Sequence, residues 1–171
     1  MLRLPTRWAS WIPALVWMSL IFVGSTDLLA SSHTSRFLEP LIRWLLPDIS
    51  GLSLATLQLL VRKAGHAFEY AVLALLTWWA LAPVGTGSTT WIWTRRRAWL
   101  AWGLAATYAL SDEFHQTFVR SREGRLRDVI IDATGAATAL LTLRFFIHRF
   151  HRRCANKDRG GLTTDSTDKH G

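Results

Sequence analysis

Cysteine is nearly missing from this chain. The single copy, Cys154, lies in a polar stretch, so no internal disulfide can form and no cysteine-based metal motif exists. Acids are scarce too, 12 Asp and Glu against 20 Lys and Arg, which leaves a net charge of +8. A nucleic-acid surface would gather those cations along one soluble face. Here they punctuate long apolar runs, which points to membrane orientation and not to nucleic acid. Also lacking is a signal-peptidase site: after the first apolar run, Asp27-Leu28-Leu29-Ala30 supplies one small residue where two are needed. What remains is apolar, 50% hydrophobic residues with ten Trp in 171 positions, room for one domain.

The apolar residues fall into four runs. The first, Trp8 to Ser25, follows Arg3 and Arg7 and reads as an uncleaved span. The others cover about Leu59 to Ala82, Ala98 to Phe118 and Val129 to Ile147. Each approaches the roughly 20 residues that cross about 30 Å of hydrocarbon. The expected fold is therefore all-α, an integral membrane bundle of four transmembrane helices. A soluble bundle is the alternative, disfavoured because four such runs leave almost no polar face. With the N-terminus inside, the cytoplasmic side collects twelve of the twenty Lys and Arg, from Arg3 and Arg7 through Arg95, Arg96 and Arg97 to Lys169. The positive-inside bias thus favours both ends in the cytoplasm. Trp8, Trp11, Trp78, Trp79, Trp91, Trp93 and Trp99 would all fall near the inner interface, where an indole keeps its N–H wet and its ring in lipid.

Between spans one and two, Phe37, Leu38, Leu41, Ile42, Leu45 and Leu46 repeat at helical spacing before Pro47. They predict a short helix on the outer membrane surface or, equally, a segment packed over the bundle. Pro83 to Thr90, with Gly85, Gly87 and Ser88, reads as a flexible turn. Residues 1–153 then form the transmembrane domain, and the polar residues 154–171 a disordered cytoplasmic tail.

Charge inside hydrocarbon is costly unless paired or hydrated, so embedded ionisable residues mark candidate sites. Span two carries Lys63, His66 and Tyr70 on one face (i, i+3, i+7), with Glu69 at its flank. Span three carries Tyr108, Asp112 and Gln116 four residues apart, with Glu113 and His115 pointing to either side. Span four begins with Asp128 and Asp132, continued by Gly135, Ala136 and Ala139, a small-residue stripe that lets another helix come close. Span two starts outside, span three ends outside and span four starts outside, so the three polar faces share one depth. The loop Val119 to Arg127 sets Arg120, Arg122, Arg125 and Arg127 over their meeting point, and arginine forks suit phosphate or carboxylate.

Every element has a plainer reading. His66 alone would more often be a hydrogen-bonded structural histidine. Asp128 and Asp132 could serve as ion-pair partners for Arg122 or Lys63, as Glu69 and Asp112 could for Lys63, and four arginines in one loop are usually solvated. Their coincidence at one depth favours a functional site over a structural network.

The segments Arg62-Lys63-Ala64-Gly65-His66-Ala67-Phe68-Glu69-Tyr70 and Tyr108-Ala109-Leu110-Ser111-Asp112-Glu113-Phe114-His115-Gln116, then Arg122, then Asp128-Val129-Ile130-Ile131-Asp132-Ala133-Thr134-Gly135, together resemble the VanZ-like family over roughly residues 10 to 148. Arg120-Ser121 stands where the family pattern commonly has Pro-Gly, and Asp132 where it often has Asn. The family takes its name from a glycopeptide-resistance cluster linked to teicoplanin, so the resemblance implies a bacterial membrane protein acting at the cell envelope. It brings no agreed reaction.

The residues lead to a bacterial cytoplasmic-membrane protein that binds, and in one version modifies, an anionic lipid-linked or wall-precursor molecule at the outer leaflet. Arg122, helped by Arg120 and Arg125, would hold the anion. His66 with Glu69 would transfer protons, and Asp112, Glu113 and Asp128 would orient the histidine or a divalent ion, although no metal-spacing motif is present. Lys63, Tyr70, Gln116 and Asp132 would complete the binding surface. No cofactor is expected, and membrane lipids are the surrounding partners. The competing classes are a non-enzymatic envelope binding or assembly protein and a proton-coupled carrier, for which no polar route crosses the inner half.

Overall fold

A computed structural model describes residues 8–26, 31–82, 92–118 and 125–162, with backbone alone for 31–37 and 155–162. Among these residues every regular element is helical. A 3-10 turn, Ala9–Trp11, leads into α1 (Ile12–Ser25), followed by α2 (Ser31–Leu45), α3 (Gly51–Ala80), α4 (Arg95–Gln116) and α5 (Leu126–Leu162). The turn Pro83 to Thr90 lies outside the described residues.

Local chemistry sets the helix starts. Pro13 occupies the first turn of α1, where its missing N–H costs nothing. Ser50 caps α3 by accepting from the Ser53 N–H at 3.2 Å, and Thr94 caps α4 by accepting from the Arg97 N–H at 3.4 Å. The amphipathic segment before Pro47 is helical as expected, although α2 begins six residues before Phe37 and takes Pro40 into its interior. It packs against α3, whose first three turns reach beyond the polar face that starts at Lys63. The last helix outruns its apolar stretch: α5 continues to Leu162, past Cys154, where the polar composition predicts a tail.

The core is made of small side chains. Ala74, Ala101, Ala105, Ala109 and Ala136 are buried among Tyr70, Leu73, Trp78 and Leu140. Large apolar residues instead face outward, Leu15, Leu20, Leu60, Phe68, Trp99, Leu104, Phe114, Leu141 and Phe146 among them. A protein in water reverses that order, since exposed contiguous apolar surface of this extent is rare on soluble monomers. In lipid it is the expected order, because helices associate there by close backbone approach and not by burying leucine. One described helix, Leu126–Cys154 within α5, is both long and apolar enough to cross a bilayer. Ala9–Ser25 is apolar but shorter, and α3 and α4 carry charges within their apolar windows.

The closest approach is between α3 and α5. A Cβ added at Gly135 would meet the Ala67 carbonyl oxygen and lie 2.8 Å from its carbonyl carbon and 2.9 Å from its Cα. No side chain larger than hydrogen fits there. The glycine therefore sets the α3–α5 spacing one turn from Asp132.

Candidate polar site at one end of the bundle

On α3, the Lys63 Nζ forms an ion pair with the Asp128 Oδ1 of α5, both side chains only partly exposed. Of the two cations expected as partners for Asp128, Lys63 is the described one, and it is paired with it. His66 stands one turn further along α3, its Nδ1 3.6 Å from the Glu69 Oε2, as i, i+3 spacing dictates. Glu69 also binds α1, since its carbonyl accepts from the Trp17 indole at 2.9 Å.

Tyr70 is where the three polar faces meet. It is fully buried, its ring lies 6.4 Å from that of Tyr108 on α4, and the charges near enough to act on its hydroxyl are Asp112 of α4 and Asp132 of α5. The convergence expected from topology thus exists at side-chain level for α3, α4 and α5.

On α4, Asp112, Glu113 and Gln116 are all buried. The Asp112 Oδ2 accepts from the Ser25 Oγ at 2.7 Å and from the Gln116 Nε2 at 3.1 Å. Glu113 turns toward the start of α5, where its Oε2 accepts the Arg125 backbone N–H at 2.7 Å, and His115 turns toward α1, stacking on Phe22 with ring centroids 4.6 Å apart. Successive helical residues diverge by about 100°, so neighbouring acids reach different partners.

Asp132 is the least compensated of the group. It is 1% exposed, its Oδ1 has no hydrogen-bond partner among the described residues, and the charges acting on it are the acids Glu113, Asp128, Asp112 and Glu69. A buried carboxylate ringed by carboxylates costs several kcal/mol unless a proton or cation joins it. Among the described residues no group of three or more His, Cys, Asp or Glu stands close enough to hold a metal ion.

A family model described as VanZ/LLP1 matches residues 10–147, a stretch that includes every residue of this cluster. The chain belongs to the VanZ/LLP1 family. No curated protein and no solved structure matches it. In this VanZ-type chain, Arg120 and Arg122, half of the expected arginine lid, lie outside the described residues. Arg125 is described, exposed at its side chain and engaged through its backbone.

Two residues of consequence escaped the sequence reading. Ser25 is 1% exposed and bonds to Asp112. Its spacing carries no signal, yet α1 ends at the same depth as the polar cluster, and topology alone would have placed its last residue there. Arg97 was counted only as an inner-side cation. It is buried, its Nε donates to the Trp78 carbonyl at 2.5 Å and an Nη to the Trp79 carbonyl at 3.4 Å, and its guanidinium lies 3.5 Å over the Trp78 ring. Trp78 is accordingly a core residue and not an interfacial one, stacked on Trp93 with centroids 6.1 Å apart. The four open carbonyls at the C-terminus of α3 attract a cation, and the cation draws the ring inward.

Proposed function

We propose that this VanZ/LLP1 protein spans the bacterial cytoplasmic membrane four times with both ends inside. Its polar end binds, and chemically acts on, an anionic lipid-linked or wall-precursor molecule at the outer leaflet. The observation that carries this reading is the meeting of Lys63, His66, Glu69, Tyr70, Asp112, Glu113, Asp128 and Asp132 at one end of a bundle whose exterior is otherwise apolar. A fold that only needed to associate in lipid could do so with its alanine faces. It would not need a buried Asp132 whose Oδ1 has no partner among the described residues.

In this reading Arg122, with Arg120 and Arg125, holds the phosphate or carboxylate, and His66 with Glu69 moves a proton at the substrate. Asp112, fixed by Ser25 and Gln116, and Asp128, fixed by Lys63, keep the walls in register. The family's name links the group to teicoplanin resistance, and an envelope precursor is a substrate that would connect the two. Alanine at His66 or Asp112 is expected to abolish the envelope phenotype with membrane insertion intact, and an unchanged phenotype removes the enzyme reading. The direct assay is the identity of the lipid or precursor that co-purifies with the protein and changes on deletion.

A specific observation also favours a second reading, a non-enzymatic envelope binding or assembly protein. Lys63–Asp128 and Ser25–Asp112 are interhelical ties that would hold a bundle with no substrate.

A further inference from the structure

Along their length α4 and α5 leave a cleft of about 780 Å³, whose arginines lie at the end away from the polar site. Its origin is in the sequence. The faces that meet there carry Ala98 on α4 and Ala133 and Ala137 on α5, while Trp99 and Trp102 stand as walls. Small residues opposite bulky ones leave space that close packing would otherwise fill. Trp102 is pinned across the gap, its indole N–H donating to the Ala133 carbonyl at 3.0 Å, and Trp99 meets it edge-on at 5.6 Å. The lining on α5 runs from Ile130 to Arg144 along one helical face, about 21 Å at 1.5 Å per residue.

The cleft is apolar along its length and cationic at its mouth. Arg95, at the start of α4, and Arg144, near the inner end of α5, both line it. Both are exposed, and neither has an acidic partner among the described residues. Arg149, Arg152 and Arg153 continue the positive charge along α5. A second copy of this chain docking by the same face would bring these arginines against one another. An anionic amphiphile suits both parts at once, an acyl chain in the groove and a phosphate between guanidinium groups. Basic pockets between membrane helices on the cytoplasmic side take such head groups.

We propose that the α4–α5 cleft is a binding site for an anionic glycerophospholipid of the inner leaflet, its phosphate held by Arg95 and Arg144 and one acyl chain lying along the small-residue face of α5. The site rests on the membrane orientation proposed above, but its arginines lie at the end away from the polar cluster and it asks nothing of that cluster's chemistry.

The test uses the full chain in detergent, titrated with phosphatidylglycerol or with phosphatidylcholine of the same acyl chains and read by native mass spectrometry. Phosphatidylglycerol is expected to bind about tenfold more tightly, and Arg95→Ala/Arg144→Ala, two exposed positions, to remove that preference. Ala137→Leu, which fills the groove and leaves the arginines in place, weakens both lipids alike. The proposal is overturned if the wild-type chain takes the two lipids equally or if the double arginine variant keeps its preference. It is also overturned if a cysteine at Ala137 cross-links to a second copy. His66→Ala keeps the lipid preference, so an unchanged envelope phenotype in that variant, with the lipid preference intact, refutes the proposed function alone.

Discussion

Gly135→Ala puts the helix-spacing argument at risk most directly. The added Cβ would lie 2.9 Å from the Ala67 Cα and closer still to its carbonyl oxygen. Restoring an ordinary carbon–carbon distance of about 3.5 Å needs α3 and α5 to part by at least about 0.6 Å. The obstacle is backbone, so no side-chain rotation relieves it. Overpacking of this kind costs about 1–3 kcal/mol, offset by up to about 1 kcal/mol from alanine's better helix propensity, and the net loss is about 1–2 kcal/mol. Gly103 on α4 supplies the control, since nothing lies within 4 Å of its added Cβ. Gly103→Ala should therefore stabilise by up to about 1 kcal/mol. The assay is the thermal midpoint of the purified chain in detergent, together with disulfide yield between cysteines at Lys63 and Asp128 in a Cys154→Ser background. Gly135→Ala should lower both. If it unfolds no earlier than wild type, the close α3–α5 approach is wrong and the spacing of the polar site loses its cause.

Three further perturbations separate structure from function. Exchanging the pair as Lys63→Asp/Asp128→Lys should recover most of the stability lost by either single change, with a coupling of about 0.5–3 kcal/mol in a double-mutant cycle; independent effects would show that the two side chains do not meet. Asp132→Asn removes the cost of burying a carboxyl group among four acids, whether that cost is met as charge or as a bound proton, and should stabilise the fold by about 1 kcal/mol while lowering the envelope phenotype if the carboxyl serves a substrate. A gain in stability with an unchanged phenotype would favour the assembly reading. Arg97→Ala should cost about 2–3 kcal/mol, because it strips a charged donor from the Trp78 and Trp79 carbonyls, and Arg97→Lys should recover only part, since lysine lacks the planar fork that stacks on Trp78. Equal midpoints for lysine and arginine would refute the stacking argument.

The helices were legible because apolar runs and caps are local signals. Ser50 and Thr94 stand immediately before the periodic segments they cap, and Pro47 follows the last residues of α2. The polar faces were legible because i, i+3, i+4 and i+7 spacing turns sequence directly into direction. Pairing was not. Helical spacing cannot say how far α3 and α5 are offset, and the Gly135–Ala67 approach is what sets Lys63 opposite Asp128. The run of α5 past Cys154 to Leu162 was not legible for a related reason, since polar composition argues against burial but not against a helix continued from a stable one.

The charges on α4 run against the helix that carries them. A helix dipole favours acids at the N-terminus and cations at the C-terminus, yet α4 begins with Arg95, Arg96 and Arg97 and ends around Asp112 and Glu113. Its buried stripe runs from Arg97 through Ala101, Ala105 and Ala109 to Asp112, Glu113 and Gln116. Every charge on that stripe is answered from another element. Arg97 meets the carbonyls that close α3, Asp112 meets Ser25 of α1, and Glu113 meets the backbone N–H that precedes α5. The antiparallel order of α3, α4 and α5 makes this possible, because the C-terminus of one helix lies beside the N-terminus of the next. Local preference is thus given up for tertiary agreement, the pattern expected where a fold holds a site open. Asp132 is where the agreement stops. It lies at the same end, equally buried, and the charges acting on it are all acids. A substrate cation, a bound proton or a fork from the arginine loop would complete it, and each would engage the polar end at its most deeply buried acid.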